Sequence, residues 1–239
     1  MRLLMLSLVG VLTACATMPG AEAPEPKAAP ADAPEAAEEA TEAVWDYDAH
    51  VAQRTAEIES AGVERGGVLF VGDSITYGGG DWSRWFPGVV TSNQGIGGDR
   101  TAALLGRMTT ITRGTPERVF LMIGTNDLSG GLSPEEAAMG AIDVARGIRA
   151  GIPGADLYVQ SILPREAAMT EAVRAVNARL AAAAGEVGYT YLDIFGAFAA
   201  PDGTLRSDLT EDDLHLTDEG YALWADLIDV CVREGCQGL

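Results

Sequence analysis

Four short blocks carry side chains able to act on a substrate: Gly72-Asp73-Ser74-Ile75-Thr76, Asn93-Gln94-Gly95-Ile96-Gly97-Gly98-Asp99, Gly124-Thr125-Asn126-Asp127 and Asp212-Asp213-Leu214-His215. A serine on a tight glycine-flanked turn is exposed and held against a helix N-terminus, a suitable place for a nucleophile. Its hydroxyl needs a base, because an unassisted alcohol is barely nucleophilic at neutral pH. The chain holds two histidines, His50 and His215. His50 lies in a polar, helical-looking stretch and reads as a surface residue. His215 follows Asp212 by three residues, close enough in a turn for the carboxylate to hold the ring tautomer and stabilise an imidazolium. Asp213 is a second carboxylate beside the same ring. A residue three back folds toward the ring more readily than one two back, which favours Asp212 and leaves Asp213 as the alternative. A developing oxyanion also needs donors, which backbone N–H groups in Gly95–Gly98 and the Asn126 amide can supply. Together these residues would perform acyl transfer through serine.

Composition removes most other chemistries. Lys27 is the single lysine among 16 basic residues and lies in an Ala/Pro-rich stretch, so neither a phosphate-loop lysine nor a Schiff base is available. Two His and three Cys are too few for an ordinary zinc site, and no metal or other cofactor is expected. A formal charge of −19 repels phosphates, which argues against nucleic acid as a partner. Gly95-Ile96-Gly97-Gly98 lacks the G-x-G-x-x-G spacing and follows the second expected strand rather than the first, so it is not a dinucleotide fingerprint.

The elements that must position these blocks are legible as alternating apolar runs and helical patterns. Strands are expected at Val68–Val71, Val89–Thr91, Arg118–Ile123, Leu157–Leu163 and Tyr189–Ile194. Ser133-Pro134-Glu135-Glu136 is a capping box opening a helix toward Ala150. Thr170–Ala184 is an Ala-rich helix closed by Gly185, and Thr217–Val232 is the last, with Leu223, Leu227 and Val230 on one side. Continuous apolar strands alternating with helices imply a five-stranded parallel sheet covered on both faces, an α/β/α sandwich. Ligand sites in such sheets lie beyond the carboxyl ends of the strands, where three of the four blocks fall.

The N-terminus reads as an address. Residues 1–14 have the charge, apolar run and small residues of a secretory signal, and Leu12-Thr13-Ala14-Cys15 resembles the bacterial lipobox, in which Cys15 would be lipidated. The competing reading is an ordinary signal peptide with a chance cysteine. Several acyl chains on Cys15 would anchor the protein to a membrane. Ala16, not Asp, follows, which favours an outer membrane facing the periplasm if the organism has two. Residues 15–44 are rich in Ala, Pro and Glu without apolar periodicity and read as a solvated tether; 45–239 is the folded domain. In an oxidising envelope Cys231 and Cys236 would form a disulfide, the alternative being two unrelated thiols.

The four ordered blocks, spread over Val68–Val230, closely resemble the SGNH hydrolases, the GDSL-type esterase/lipase superfamily. The resemblance implies a flavodoxin-like sheet, no metal, and ester hydrolysis through an acyl-enzyme. It matches Ser74 to the nucleophile, Asp212 and His215 to its partners, and Gly98, the Ser74 N–H and Asn126 to the oxyanion donors. Gly-Ile-Gly-Gly-Asp, the Trp82/Trp85-Phe86 stretch and Leu163-Pro164-Arg165 are similar to the branch holding platelet-activating-factor acetylhydrolase catalytic subunits and bacterial acetylesterases, which leans toward small acyl groups. Asp213 departs from the glycine that many relatives have there. The resemblance makes short acyl esters of carbohydrate the expected substrates, with a lysophospholipid or thioester as the alternative. A non-catalytic glycan-binding lipoprotein is the rival from another class. Oligomeric state is left open.

Overall fold

The computed structural model describes residues 46–62 and 65–237. The expected signal, Cys15 and the expected tether lie outside the described residues. In chain order the strands are β1 (Val68–Gly72), β2 (Thr91–Gly95), β3 (Arg118–Met122), β4 (Asp156–Gln160) and β5 (Thr190–Leu192). The helices are α1 (Tyr47–Ala61), α2 (Ser74–Gly78), α3 (Thr101–Gly106), α4 (Met108–Ile111), α5 (Thr125–Ser129), α6 (Pro134–Gly151), α7 (Thr170–Val187), α8 (Phe195–Phe198) and α9 (Asp218–Arg233). All strand pairs are parallel and their order is β2-β1-β3-β4-β5, the flavodoxin-like doubly wound arrangement.

β1 is buried at every position, as a strand covered on both faces must be. Register places Phe70 beside Phe120 and Phe120 beside Tyr158. The rings stack across the sheet with centroids 5.3 and 4.7 Å apart. Trp82 covers Phe70 at 4.1 Å, and Trp224 of α9 meets Trp82 edge-on at 4.9 Å. Burying one large apolar side chain of this kind contributes roughly 1.5–3 kcal/mol, so the stack ties the sheet centre to α9 firmly. The same register pairs Gly72 with Gly95 and Met122, so β1, β2 and β3 end level and release their exit loops at one edge.

Several boundaries and one helix face differ from expectation: β4 stops at Gln160 and β5 at Leu192, short of the expected Leu163 and Ile194. β2 runs Thr91–Gly95, not Val89–Thr91. As an edge strand it tolerates polar residues, and its Asn93 amide donates to the carbonyls of Thr76, Tyr77 and Gly80. Helix α7 continues through Gly185 and closes at Gly188, whose φ of 82° is the left-handed stop that glycine favours. On α9 the buried stripe is Tyr221, Trp224, Ile228 and Cys231; Leu223 and Leu227 flank it and Val230 is 59% exposed. The aromatic residues, offering more apolar area, took the core-facing positions. A disulfide joins Cys231, in the last turn of α9, to Cys236 just past its end. Among the described residues no helix is long and apolar enough to cross a membrane.

Candidate active site

The serine turn is built by removing side-chain bulk and then pairing carbonyls at the end of a short helix. A Cβ on Gly72 would lie 2.3 Å from the Met122 carbonyl, and one on Gly95 2.2 Å from the Tyr77 nitrogen, so only glycine lets α2 press against β1 and β2. Asp73 caps α2, its Oδ1 accepting the Ile75 N–H at 3.0 Å. Burial pushes the Asp73 carboxyl up to about 7; the Ile75 N–H opposes this, while Asp99 and Asp127 reinforce it. A helix of five residues leaves nearly all its carbonyls unpaired. Here Tyr221 Oη donates to Ile75 at 2.8 Å, Trp82 Nε1 to Thr76 at 3.2 Å and Trp85 Nε1 to Gly79 at 3.0 Å. Ser74, the first residue of α2, is half-buried on this frame.

The loop before α9 brings the base. His215 Nε2 lies 2.9 Å from Ser74 Oγ, and Nδ1 lies 2.6 Å from Asp212 Oδ2. The other Asp212 oxygen accepts the N–H groups of Leu214 at 3.0 Å and His215 at 2.7 Å, so the carboxylate is held by the turn it orients. Its partial burial would raise its pKa, but the hydrogen bonds from the His215 ring and from these two amides outweigh that and bring it down to about 2. Asp213 makes none of these contacts. It occupies φ 59°, the left-handed region, which explains why glycine suits this position. The structure therefore brings Asp212, not Asp213, to the ring.

The opposite wall comes from the exits of β2 and β3. Gly98 adopts φ 79°. Asn126, in the first turn of α5, donates from Nδ2 to the Asp99 carbonyl at 2.9 Å, which fixes the amide and leaves its second hydrogen for a ligand. Asp99 is buried and paired with Arg107 at 3.0 Å. Asp127, also buried, accepts from the Thr101 N–H and hydroxyl. Ser74, His215, Gly98 and Asn126 share one cavity of about 390 Å³ with His50 and Tyr77. A second cavity of about 550 Å³ meets the same Gly98 and Asn126 and extends to Tyr47, Arg100 and Ser129. Among the described residues no group of three or more His, Cys, Asp or Glu is placed to hold a metal ion.

His50 was the residue misjudged from sequence. It is half-buried in the Ser74 cavity, and its Nε2 accepts the Gly97 N–H at 3.1 Å. The available signal was the spacing of Tyr47, His50 and Arg54, which puts three polar side chains on one face of α1.

Such an arrangement can pass a proton from a serine to an imidazole while a backbone and side-chain cradle receives negative charge. Comparison with known proteins agrees. A search of curated proteins found no match. Among solved structures, a Streptococcus pneumonia protein provisionally described as a platelet activating factor is 22% identical, with a TM-score of 0.71 over 78% of this chain and 94% of that one. A GDSL-like lipase from Bacteroides thetaiotaomicron is 21% identical, with a TM-score of 0.61 over 80% and 98%. A mutant of Axe2, an acetyl-xylooligosaccharide esterase from Geobacillus Stearmophilus, is 16% identical, with a TM-score of 0.57 over 72% and 98%. These likenesses concern the fold. Residues 70–223 match the model of the GDSL-like Lipase/Acylhydrolase family, most of the described domain and all four blocks. The chain belongs to that family, and it is an ester-hydrolysing enzyme of the GDSL/SGNH type.

Proposed function

We propose that the protein is a serine esterase that removes short acyl groups, acetyl foremost, from carbohydrate through an acyl-enzyme. The carrying observation is the unbroken chain Ser74 Oγ, His215 Nε2, His215 Nδ1 and Asp212 Oδ2, with steps of 2.9 and 2.6 Å. As Ser74 Oγ attacks the ester carbonyl, His215 Nε2 takes its proton and Asp212 stabilises the imidazolium. The carbonyl oxygen becomes an oxyanion facing the N–H groups of Gly98 and Ser74 and the free amide hydrogen of Asn126. His215 then gives its proton to the departing alkoxide, leaving the acyl group on Ser74. Water, deprotonated by the same nitrogen, attacks the acyl carbon; Ser74 leaves with the proton and the carboxylic acid is released.

The Ser74 cavity, about 390 Å³, is near the small end of ligand sites, which supports a short acyl group. Tyr77 in this cavity and Tyr47 in its neighbour offer ring surface and hydroxyls suited to a sugar. A series of p-nitrophenyl esters from acetate to laurate tests the acyl length. The rate should fall steadily beyond butyrate, and a maximum at eight or more carbons would refute the short-acyl reading. Acetylated xylo-oligosaccharide, the substrate named for one structural relative, tests the alcohol half by acetate release.

The same proposal places the enzyme at the cell envelope, lipidated on Cys15. Support comes from the Leu12-Thr13-Ala14-Cys15 pattern behind an apolar run. Wild-type protein should partition into detergent and take up labelled fatty acid, and Cys15→Ser should do neither. Mature protein with an unmodified Cys15 thiol would contradict it.

A further inference from the structure

We propose that His50, on a helix outside the four family blocks, is a positioning residue that fixes the oxyanion loop through its hydrogen bond to Gly97. The inference rests on the esterase reading above and adds a residue to it. Gly98 carries one of the N–H groups offered to the oxyanion, and it follows Gly97 directly. Two consecutive glycines have the widest backbone freedom of any pair, so the Gly97–Gly98 peptide that carries the Gly98 N–H keeps its orientation only if its neighbours are fixed. The Ile96 carbonyl accepts the Asp99 N–H at 3.2 Å across the turn, and the Ile96–Gly97 peptide just before it is the one that His50 holds. His50 Nε2 accepts the Gly97 N–H at 3.1 Å and is seated so closely that a Cβ on Gly97 would lie 2.9 Å from it. The acceptor role requires that Nε2 be unprotonated and the ring hydrogen be on Nδ1.

The rest of α1 serves the same loop. Tyr47 Oη donates to Asp99 Oδ1 at 3.1 Å. Arg54 donates from Nε to the Gly95 carbonyl at 3.2 Å and from Nη2 to the Asn93 carbonyl at 2.7 Å. Tyr47, His50 and Arg54 thus grip residues 93–99 at successive points along one helix face, while Ile58 is the one buried residue of α1. A helix held by so little apolar area and so many polar contacts to one segment orders that segment rather than the core. The imidazole is in turn set edge-on against Tyr77, centroids 5.6 Å apart, with the Arg54 guanidinium 5.0 Å from the Tyr77 ring centre. Asp99, at the far end of the loop, is fixed by Arg107 and holds Asn126. His50 supplies the middle support between these two anchors.

The experiment compares full-length wild type, Ser74→Ala, His50→Leu and His50→Gln on p-nitrophenyl acetate, measuring kcat and KM. Leucine fills the space without an acceptor; glutamine returns one at about the reach of Nε2. A displaced but not deleted oxyanion donor should cost between about 10- and 100-fold in kcat, with KM within about twofold. His50→Gln should recover most of that loss. A His50→Leu enzyme with wild-type kcat overturns the proposal, and so does a rise in KM alone, which would make His50 a cavity wall only. If His50→Leu does not fold, His50→Asn, whose amide falls short of the Gly97 N–H, takes its place: a loss of about 10- to 100-fold in kcat at near-constant KM supports the proposal, and wild-type kcat overturns it. Turnover by Ser74→Ala would refute the esterase mechanism itself, an outcome distinct from a failure confined to His50.

Discussion

Asp212 and Asp213 are adjacent carboxylates of identical chemistry, and backbone conformation alone separates their roles. Asp212 sits where its oxygens reach two amides and the ring of His215; Asp213 sits at φ 59° and reaches none of them. Asp212→Asn should therefore lower kcat severely, by up to ~10⁴ as for the equivalent change in an unrelated triad. Asp213→Asn should change it by less than threefold, roughly the scatter of a surface substitution. Comparing kcat/KM for the two variants checks the assignment, and a larger loss for Asp213→Asn would reverse it. Asp213→Gly should raise Tm, since glycine adopts that conformation without a Cβ penalty, although its freedom in the unfolded chain offsets part of the gain. The Asp212 carboxyl, at about 2, lies below its unfolded value, so its contribution to stability is present at neutral pH and is lost only as pH falls toward 2. The sequence pattern identified every member of this chain, because a motif fixes residue types. It could not show φ at Asp213, which depends on how the turn closes.

At the scale of elements, the serine turn between β1 and α2 carries a buried acid. The folded value of Asp73, about 7, lies far above its unfolded value near about 4, so the native state binds more protons than the unfolded chain between those limits. Its contribution is fully present below about 4 and is lost as pH rises through 7. Asp73→Asn keeps the cap acceptor and removes the ionisation. Thermal melts from pH 4 to 9 should show wild type losing Tm relative to Asp73→Asn as pH rises, with the gap levelling off above about 8. A gap independent of pH would contradict this. Asn93→Ala should be destabilising by about 1–3 kcal/mol in denaturant titrations, because its amide serves three carbonyls at the end of α2. The strands with continuous apolar runs were legible within a few residues. β2 was not, since an edge strand of Thr-Ser-Asn-Gln-Gly carries no apolar run and its reason for being there is tertiary. The α9 stripe was misread for a related reason: Trp224 and Tyr221 seal the aromatic stack and the serine turn, while Leu223 and Leu227 pack at the margin of the core and Val230 is exposed.

On the scale of the whole molecule, the chain is acid-rich, with Lys27 its single lysine. The Cys231–Cys236 bond fits an oxidising compartment. It closes so short a loop that its reduction should cost only ~2 kcal/mol by the chain-entropy estimate. Non-reducing mass spectrometry should show two hydrogens fewer than the dithiol, and thiols that alkylate without reduction would contradict it. Fold class and sheet order followed from the alternation of strands and helices, whereas the role of α1 did not, because its polar face grips a loop more than forty residues away in sequence. Treating full-length protein with a fluorophosphonate and mapping the adduct by peptide mass spectrometry, while following p-nitrophenyl acetate hydrolysis, tests Ser74 as the nucleophile. One adduct should form, on Ser74, in proportion to the loss of activity, and none should form on Ser74→Ala. An adduct on another residue, or hydrolysis that persists after Ser74 is fully modified, would contradict it.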